Sequence, residues 1–140
     1  MTKRSSTITK VFEIGQTGQF AKTITETDVI LFAGISGDLN PAHVNEVEAS
    51  QGMFKKRIAH GMLGASLIST VLGMYLPGPG TIYLGQELKF LKPVGIGDTL
   101  TATATITAID DKGWLTLETI VTNQDGVKVI AGQANVIPPK

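Results

Sequence analysis

The 140-residue sequence contains no cysteine. That absence excludes a disulfide scaffold, a thiolate nucleophile and a thiolate-ligated zinc or iron–sulfur centre. Histidine is scarce too, with only His43 and His60 present. A metal would need mainly carboxylate ligands, and no such cluster stands out, so no metal is expected. Net charge is missing as well, because 12 Lys and Arg offset 12 Asp and Glu. A neutral chain lacks the basic footprint of a nucleic-acid binder and is not drawn to anionic membranes over long range. Long hydrophobic runs are also absent. The longest apolar segment, Met62 to Leu76, is broken by Gly64, Ser66, Ser69, Thr70 and Gly73, and it is shorter than the roughly 20 residues a bilayer requires. The basic opening MTKRSSTITK leads into no apolar stretch, so it does not read as a secretory signal. A soluble, cytoplasmic protein is expected.

What is present suffices for one core. Hydrophobic residues make up 42% and charged residues 17%, which argues against disorder. Residues 1–9 are expected to form a flexible tail and residues 10–140 a single domain. Val11 to Lys22 reads as a weak strand interrupted by Gly15 and Gly18. Thr25 to Asp28 has the Thr-x-x-acid form of a helix start, and Gly37 suggests an end near Ser36. Gly37 to His43 is turn-rich, Asn45 caps a helical turn reaching Ser50, and Gln51 to His60 looks irregular. Gly61 to Tyr75 is the strongest helix, apolar on every side and therefore buried. The sequence Leu76-Pro77-Gly78-Pro79-Gly80 stops it. Four strands follow: Thr81–Leu91, Thr99–Ile109, Trp114–Thr122 and Val127–Ile137. In the second, Leu100, Ala102, Ala104, Ile106 and Ala108 share one face. The expected class is α+β, with a curved antiparallel sheet around one long helix and the last four strands running as a meander. Apolar surface left on the helix, plus a free sheet edge, predicts a dimer.

The chemistry-bearing residues are few. Asp38 and His43 lie five residues apart across a turn stiffened by Pro41. That spacing can aim a carboxylate and an imidazole at one water, or Asp38 and Asn40 can make an Asx turn with His43 on the surface. His60-Gly61 opens the buried helix, whose unpaired amides could stabilise an oxyanion; equally, they could form an ordinary helix end. A hydroxyl such as Ser66 in a buried helix usually bonds back to a carbonyl one turn earlier, and no nucleophile-elbow sequence is present. Lys55-Lys56-Arg57 is the one dense basic run, either a solvated loop or a partner for phosphates. Trp114 and Tyr83 are expected to pack the sheet.

The segment Ser36-Gly37-Asp38-Leu39-Asn40-Pro41-Ala42-His43, then Phe54 and Arg57-Ile58-Ala59-His60-Gly61-Met62-Leu63, resembles the (R)-specific enoyl-CoA hydratases, the MaoC-like dehydratases. The likeness continues through Ile82-Tyr83-Leu84-Gly85-Gln86, Phe90, Pro93-Val94 and Gly97-Asp98, in the family's order. It implies a hot-dog fold of about five strands and a homodimer. It also implies a hydro-lyase that reversibly hydrates a trans-2-enoyl-CoA to an (R)-3-hydroxyacyl-CoA. By resemblance Asp38 and His43 are the catalytic pair, Gly61 holds the thioester oxygen, and Asn40 and Ser69 support the site; His60, beside Gly61, is a further candidate support. One departure is Asn45, where the family pattern leads one to expect Asp; both cap a helix well. Lys55, Lys56 and Arg57 are candidate contacts for CoA phosphates, and Leu63, Leu67 and Leu72 for the acyl pocket. Coenzyme A enters only as part of the substrate, and no cofactor is expected. The product suits polyhydroxyalkanoate synthesis or fatty-acid metabolism, and the sequence does not choose between them. Two alternatives share the fold: an acyl-CoA thioesterase and a non-catalytic acyl-binding or scaffold subunit.

Overall fold

The computed structural model describes residues 11–140, and the expected tail at 1–9 lies outside the described residues. Strand β1 (Thr17–Thr23) leads into helix α1 (Glu26–Ser36). The helix starts where a reciprocal capping box forms: the Asp28 amide donates to the Thr25 hydroxyl, and the Thr25 amide donates to the Asp28 carboxylate. It ends at Gly37, whose φ of 80° is left-handed backbone that glycine adopts without a Cβ penalty. Two short helices follow, α2 (Pro41–Val44) and α3 (Glu46–Ser50). Their caps are Asn40 and Asn45, each accepting an amide with its side chain. The turn-rich segment therefore contains a helical turn of its own, because Pro41 at the first helical position is pre-set for it.

The main helix α4 (Gly61–Thr70) continues into a π-helical turn over Val71–Tyr75. The sheet comprises β1, β2 (Ile82–Phe90), β3 (Thr99–Ile109), β4 (Leu115–Thr122) and β5 (Lys128–Ile137). All pairings are antiparallel, in the order β1-β3-β4-β5-β2. This corrects the four-strand meander. Only β3-β4-β5 is one, joined by turns at Asp110–Gly113 and Asn123–Gly126, while β2 lies beyond β5. The reason is the connection from β2 to β3, which is no hairpin. Val94 accepts the Ala59 amide, Gly95 bridges Ile58, and Gly97 donates to Ile24, so residues 91–98 cross to another part of the fold.

On β3, Leu100, Ala102, Ala104 and Ile106 are buried while the intervening threonines stay half-exposed. Ala108 departs from that face because the register against β4 shifts between Ile106 and Ala108. The small Ala102 and Ala104 and the missing side chain of Gly64 let α4 settle close to the sheet. A Cβ on Gly64 would stand 3.2 Å from Ile130 and 3.3 Å from Leu100. Leu63, Leu67, Ile68, Val71 and Leu72 complete the core with Leu115, Leu117, Val121 and Val129. The helix is not buried all round, however. Met62, Ser66 and Ser69, at helical spacing, lie exposed on one side, as do Met74 and Tyr75 beyond.

Candidate active site

The site is assembled from the loop cluster that α1 and α4 bracket. Ser36, on the last turn of α1, donates its hydroxyl to the Phe32 carbonyl and accepts the Asp38 amide at 3.1 Å. Asp38 in turn accepts the Asn40 amide at 3.2 Å, and Asn40 accepts that of Ala42 at 3.0 Å. The polar side chains of Ser36-Gly37-Asp38-Leu39-Asn40 thus satisfy the backbone of the turn step by step. The Asx turn and the aimed carboxylate are therefore not alternatives, since Asp38 makes the turn and still faces the cleft.

His43 lies in α2, one residue before its end, and is half-buried. Its Nδ1 lies 2.8 Å from the Ile58 carbonyl oxygen. A carbonyl only accepts, so Nδ1 carries the hydrogen, and in the neutral ring Nε2 presents the lone pair. His60 is 2% exposed, and its Nε2 lies 2.9 Å from the Asp38 carbonyl. The same argument puts its hydrogen on Nε2 and leaves Nδ1 as an acceptor. That Nδ1 is buried and takes no hydrogen bond from the protein. The ring is packed on both sides: the His43 ring stacks at 4.0 Å and 29°, and Phe32 lies at 4.9 Å and 55°. His60 is thus a support under His43 and a tie to Asp38.

One donor atom from each of Asp38, His43 and His60 lies within 4.8 Å of the others, a grouping that suggests a divalent cation. The stack argues against this. Imidazole lone pairs lie in the ring plane, and two nearly parallel rings do not aim them at one point. The arrangement suits proton transfer better than chelation.

These residues open on a cleft of about 750 Å³. Phe32, Phe54, Ile58, Met62, Phe90 and Ile130 give it apolar walls, and Ser36, Asp38, His43 and His60 supply polar groups along one side. Gly61 lies at the wall as the first residue of α4, so its amide has no partner within the helix. A Cβ there would come within 2.8 Å of the Phe90 ring. With no side chain at residue 61, the Phe90 ring can lie close against the start of the helix.

Other expected site residues lie elsewhere. Ser69 is exposed on α4, away from the cleft lining. Leu63, Leu67 and Leu72 face the core and do not line the cleft. Lys55 and Lys56 are exposed on the preceding loop. Arg57 is tied to neighbouring elements of the protein. Its Nη1 and Nη2 donate to Glu26 at 2.6 and 2.7 Å, and its Nε donates to the His43 carbonyl at 2.7 Å. Those bonds lower the Glu26 pKa from its ordinary value and raise that of Arg57. Phe32, Met62 and Ile130 are cleft residues that sequence reasoning missed. Phe32 and Ile130 come from distant segments with no local signal, whereas Met62 directly follows Gly61 in the motif of the family likeness.

A curved antiparallel sheet packed on one helix is the hot-dog fold, and the apolar cleft lies at that helix's N-terminus with a carboxylate and an imidazole in its lining. The comparisons agree on the family. The model of the MaoC like domain matches residues 10–128, and the chain belongs to that family. It is 56% identical over 126 residues to an (R)-specific enoyl-CoA hydratase of Rhodospirillum rubrum, covering 89% of this chain and 87% of that one. It is 43% identical to an (R)-specific enoyl-CoA hydratase of Aeromonas caviae, covering 91% and 96%. Among solved structures, an unliganded (R)-hydratase of Pseudomonas aeruginosa superposes with a TM-score of 0.89 at 43% identity, over 92% of this chain and 83% of that one.

Proposed function

We propose that this protein is an (R)-specific enoyl-CoA hydratase. It adds water reversibly to a trans-2-enoyl-CoA and yields an (R)-3-hydroxyacyl-CoA. The observation that carries the proposal is the convergence of Asp38 and His43 on one cleft whose wall includes the Gly61 amide. Family membership supports it, since the relatives named above carry that activity in their names.

The thioester carbonyl lies against the Gly61 N–H, where the positive end of α4 favours enolate character. Asp38 and His43 hold one water between them, and His43 Nε2 presents a lone pair toward it. As the water oxygen bonds to C3, one of the pair takes its proton. The C2=C3 electrons pass to the thioester oxygen. The enolate then collapses, and C2 takes a proton on the same face. The sum is H and OH added across one double bond, with no change in redox state. The reaction therefore calls for no redox cofactor, and coenzyme A belongs to the substrate. A cytoplasmic location is part of the same proposal; no helix among the described residues is long and apolar enough to cross a membrane.

A homodimer is also part of the proposal. Edge strand β2 exposes Ile82, Tyr83, Leu84 and Phe90, the open side of α4 exposes Met62, and the π-helical turn after it exposes Met74. Sedimentation at micromolar concentration is expected to show about twice 14.8 kDa; a 14.8 kDa species alone would exclude the dimer. For the activity, crotonyl-CoA is followed by loss of enoyl absorbance and, in parallel, by free thiol. Absorbance loss alone, with only (R) product on chiral analysis, supports the hydratase. Thiol release identifies a thioesterase, and no change at all identifies a binding or scaffold subunit.

A further inference from the structure

Arg57 interacts with two elements and reaches neither the cleft nor open solvent. Its side chain is 12% exposed, and it is not among the cleft-lining residues. The guanidinium grips Glu26, at the first turn of α1, through a two-bond fork, the geometry that distinguishes Arg from Lys. Its Nε donates to the His43 carbonyl. Next to it, the Ile58 amide donates to the Ala42 carbonyl at 3.1 Å, and the Ile58 carbonyl accepts His43 Nδ1–H. Residues 57–58 are therefore spliced to residues 42–43 by three bonds. One is the bond that fixes the tautomer of His43. His43 is thus held at both ends by one dipeptide, at its carbonyl by Arg57 Nε and at its ring by the Ile58 carbonyl.

We propose that Arg57, braced by Glu26, is a positioning residue for the His43 imidazole, holding its Nε2 toward the cleft. This rests on the proposed role of His43. It assigns Arg57 a task other than contact with a substrate phosphate, and the two roles predict different kinetics. A positioning residue acts on kcat, whereas a phosphate contact acts on KM.

The test compares Arg57→Met, Arg57→Lys and Glu26→Gln with the unmodified protein. Hydration of crotonyl-CoA and ¹⁵N NMR of the histidine ring nitrogens are recorded well below the melting temperature. Loss of registration of a reacting group lowers rates by up to about 100-fold. Arg57→Met is expected to lower kcat about 10-fold, leave KM within roughly twofold and shift the His43 ring signals. Arg57→Lys keeps the charge without the fork and recovers only part of the rate. Should Arg57→Met not fold, the exposed Glu26→Gln takes the same measurements, with a smaller fall in kcat expected. Unchanged kcat with unchanged ring signals overturns the proposal. So does a raised KM at constant kcat, which identifies a phosphate contact, or a lowered kcat with unmoved His43 signals. If instead His43→Gln retains full activity, the proposed function fails, while the ring signals still decide whether Arg57 positions the imidazole.

Discussion

The meander β3-β4-β5 with α4 and the loop cluster from residue 36 to residue 61 are held together by different means. In the first, Leu100, Ile106, Leu117 and Val121 are at most 1% exposed, and the hydrophobic effect supplies most of the stabilisation. In the second, nearly every residue is exposed or half-exposed. Its shape comes from side chains bonding to backbone: Ser36, Asp38, Asn40, His43, Asn45, Arg57 and His60 each take part in such a bond. The sheet supplies a rigid base with no chemistry of its own. The loop supplies polar groups at fixed places, built from bonds too exposed to add much stability. Substitutions in the two regions should therefore separate stability from activity.

The largest separation is expected at Asp38. Asp38→Asn keeps the shape and removes the charge, and a positioned acid or base contributes about 10²–10⁴-fold to rate. The kcat for crotonyl-CoA should fall by that order while the melting curve stays in place. The opposite case is Leu117, fully buried on β4. Leu117→Ala should cost about 2–5 kcal/mol of stability in urea unfolding, while the protein that remains folded keeps its specific activity. Asn40 lies between the two. It caps α2, so Asn40→Ala should cost about 0.5–2 kcal/mol and lower kcat more than a surface change of equal stability cost would, because α2 carries His43. The smallest effect concerns pH. Bonds from Arg57 lower the pKa of Glu26, so their stabilisation is fully present above the ordinary value of 4.5 and is lost as pH falls through the lowered one. Glu26→Gln should remove this small acid-side slope in thermal melts and lower the neutral plateau slightly, because the stabilisation lost with the carboxylate is the one present there.

Local features of the fold were legible in the sequence. The start of α1 follows from Thr25 and Asp28, its end from Gly37, and the buried face of β3 from strict alternation. The order of the strands was not, because the course of residues 91–98 is set by bonds to Ala59 and Ile24, which no short window contains. The π-helical turn after Thr70 was hidden for a similar reason, since Val71–Tyr75 has an ordinary helical composition. At the site, Asp38 and His43 stood out through spacing and family likeness. The role of His60 beneath His43 depends on two rings 17 residues apart meeting in space. Arg57 belongs in the sequence to a basic run and to the motif of the family likeness, and neither marks its tie to Glu26, 31 residues earlier.

The central claim is that Asp38 and His43 act together on one water from a loop that the core does not need. Single and double variants, Asp38→Asn, His43→Gln and both, test it through kcat for crotonyl-CoA hydration, with melting temperature as the control for folding. Two groups serving one proton transfer are far from additive. The double variant is expected to be about as slow as the slower single variant, with all three melting near the unmodified protein. A double variant whose loss is the product of the two single losses, or a folded Asp38→Asn with near-normal hydration, would contradict it.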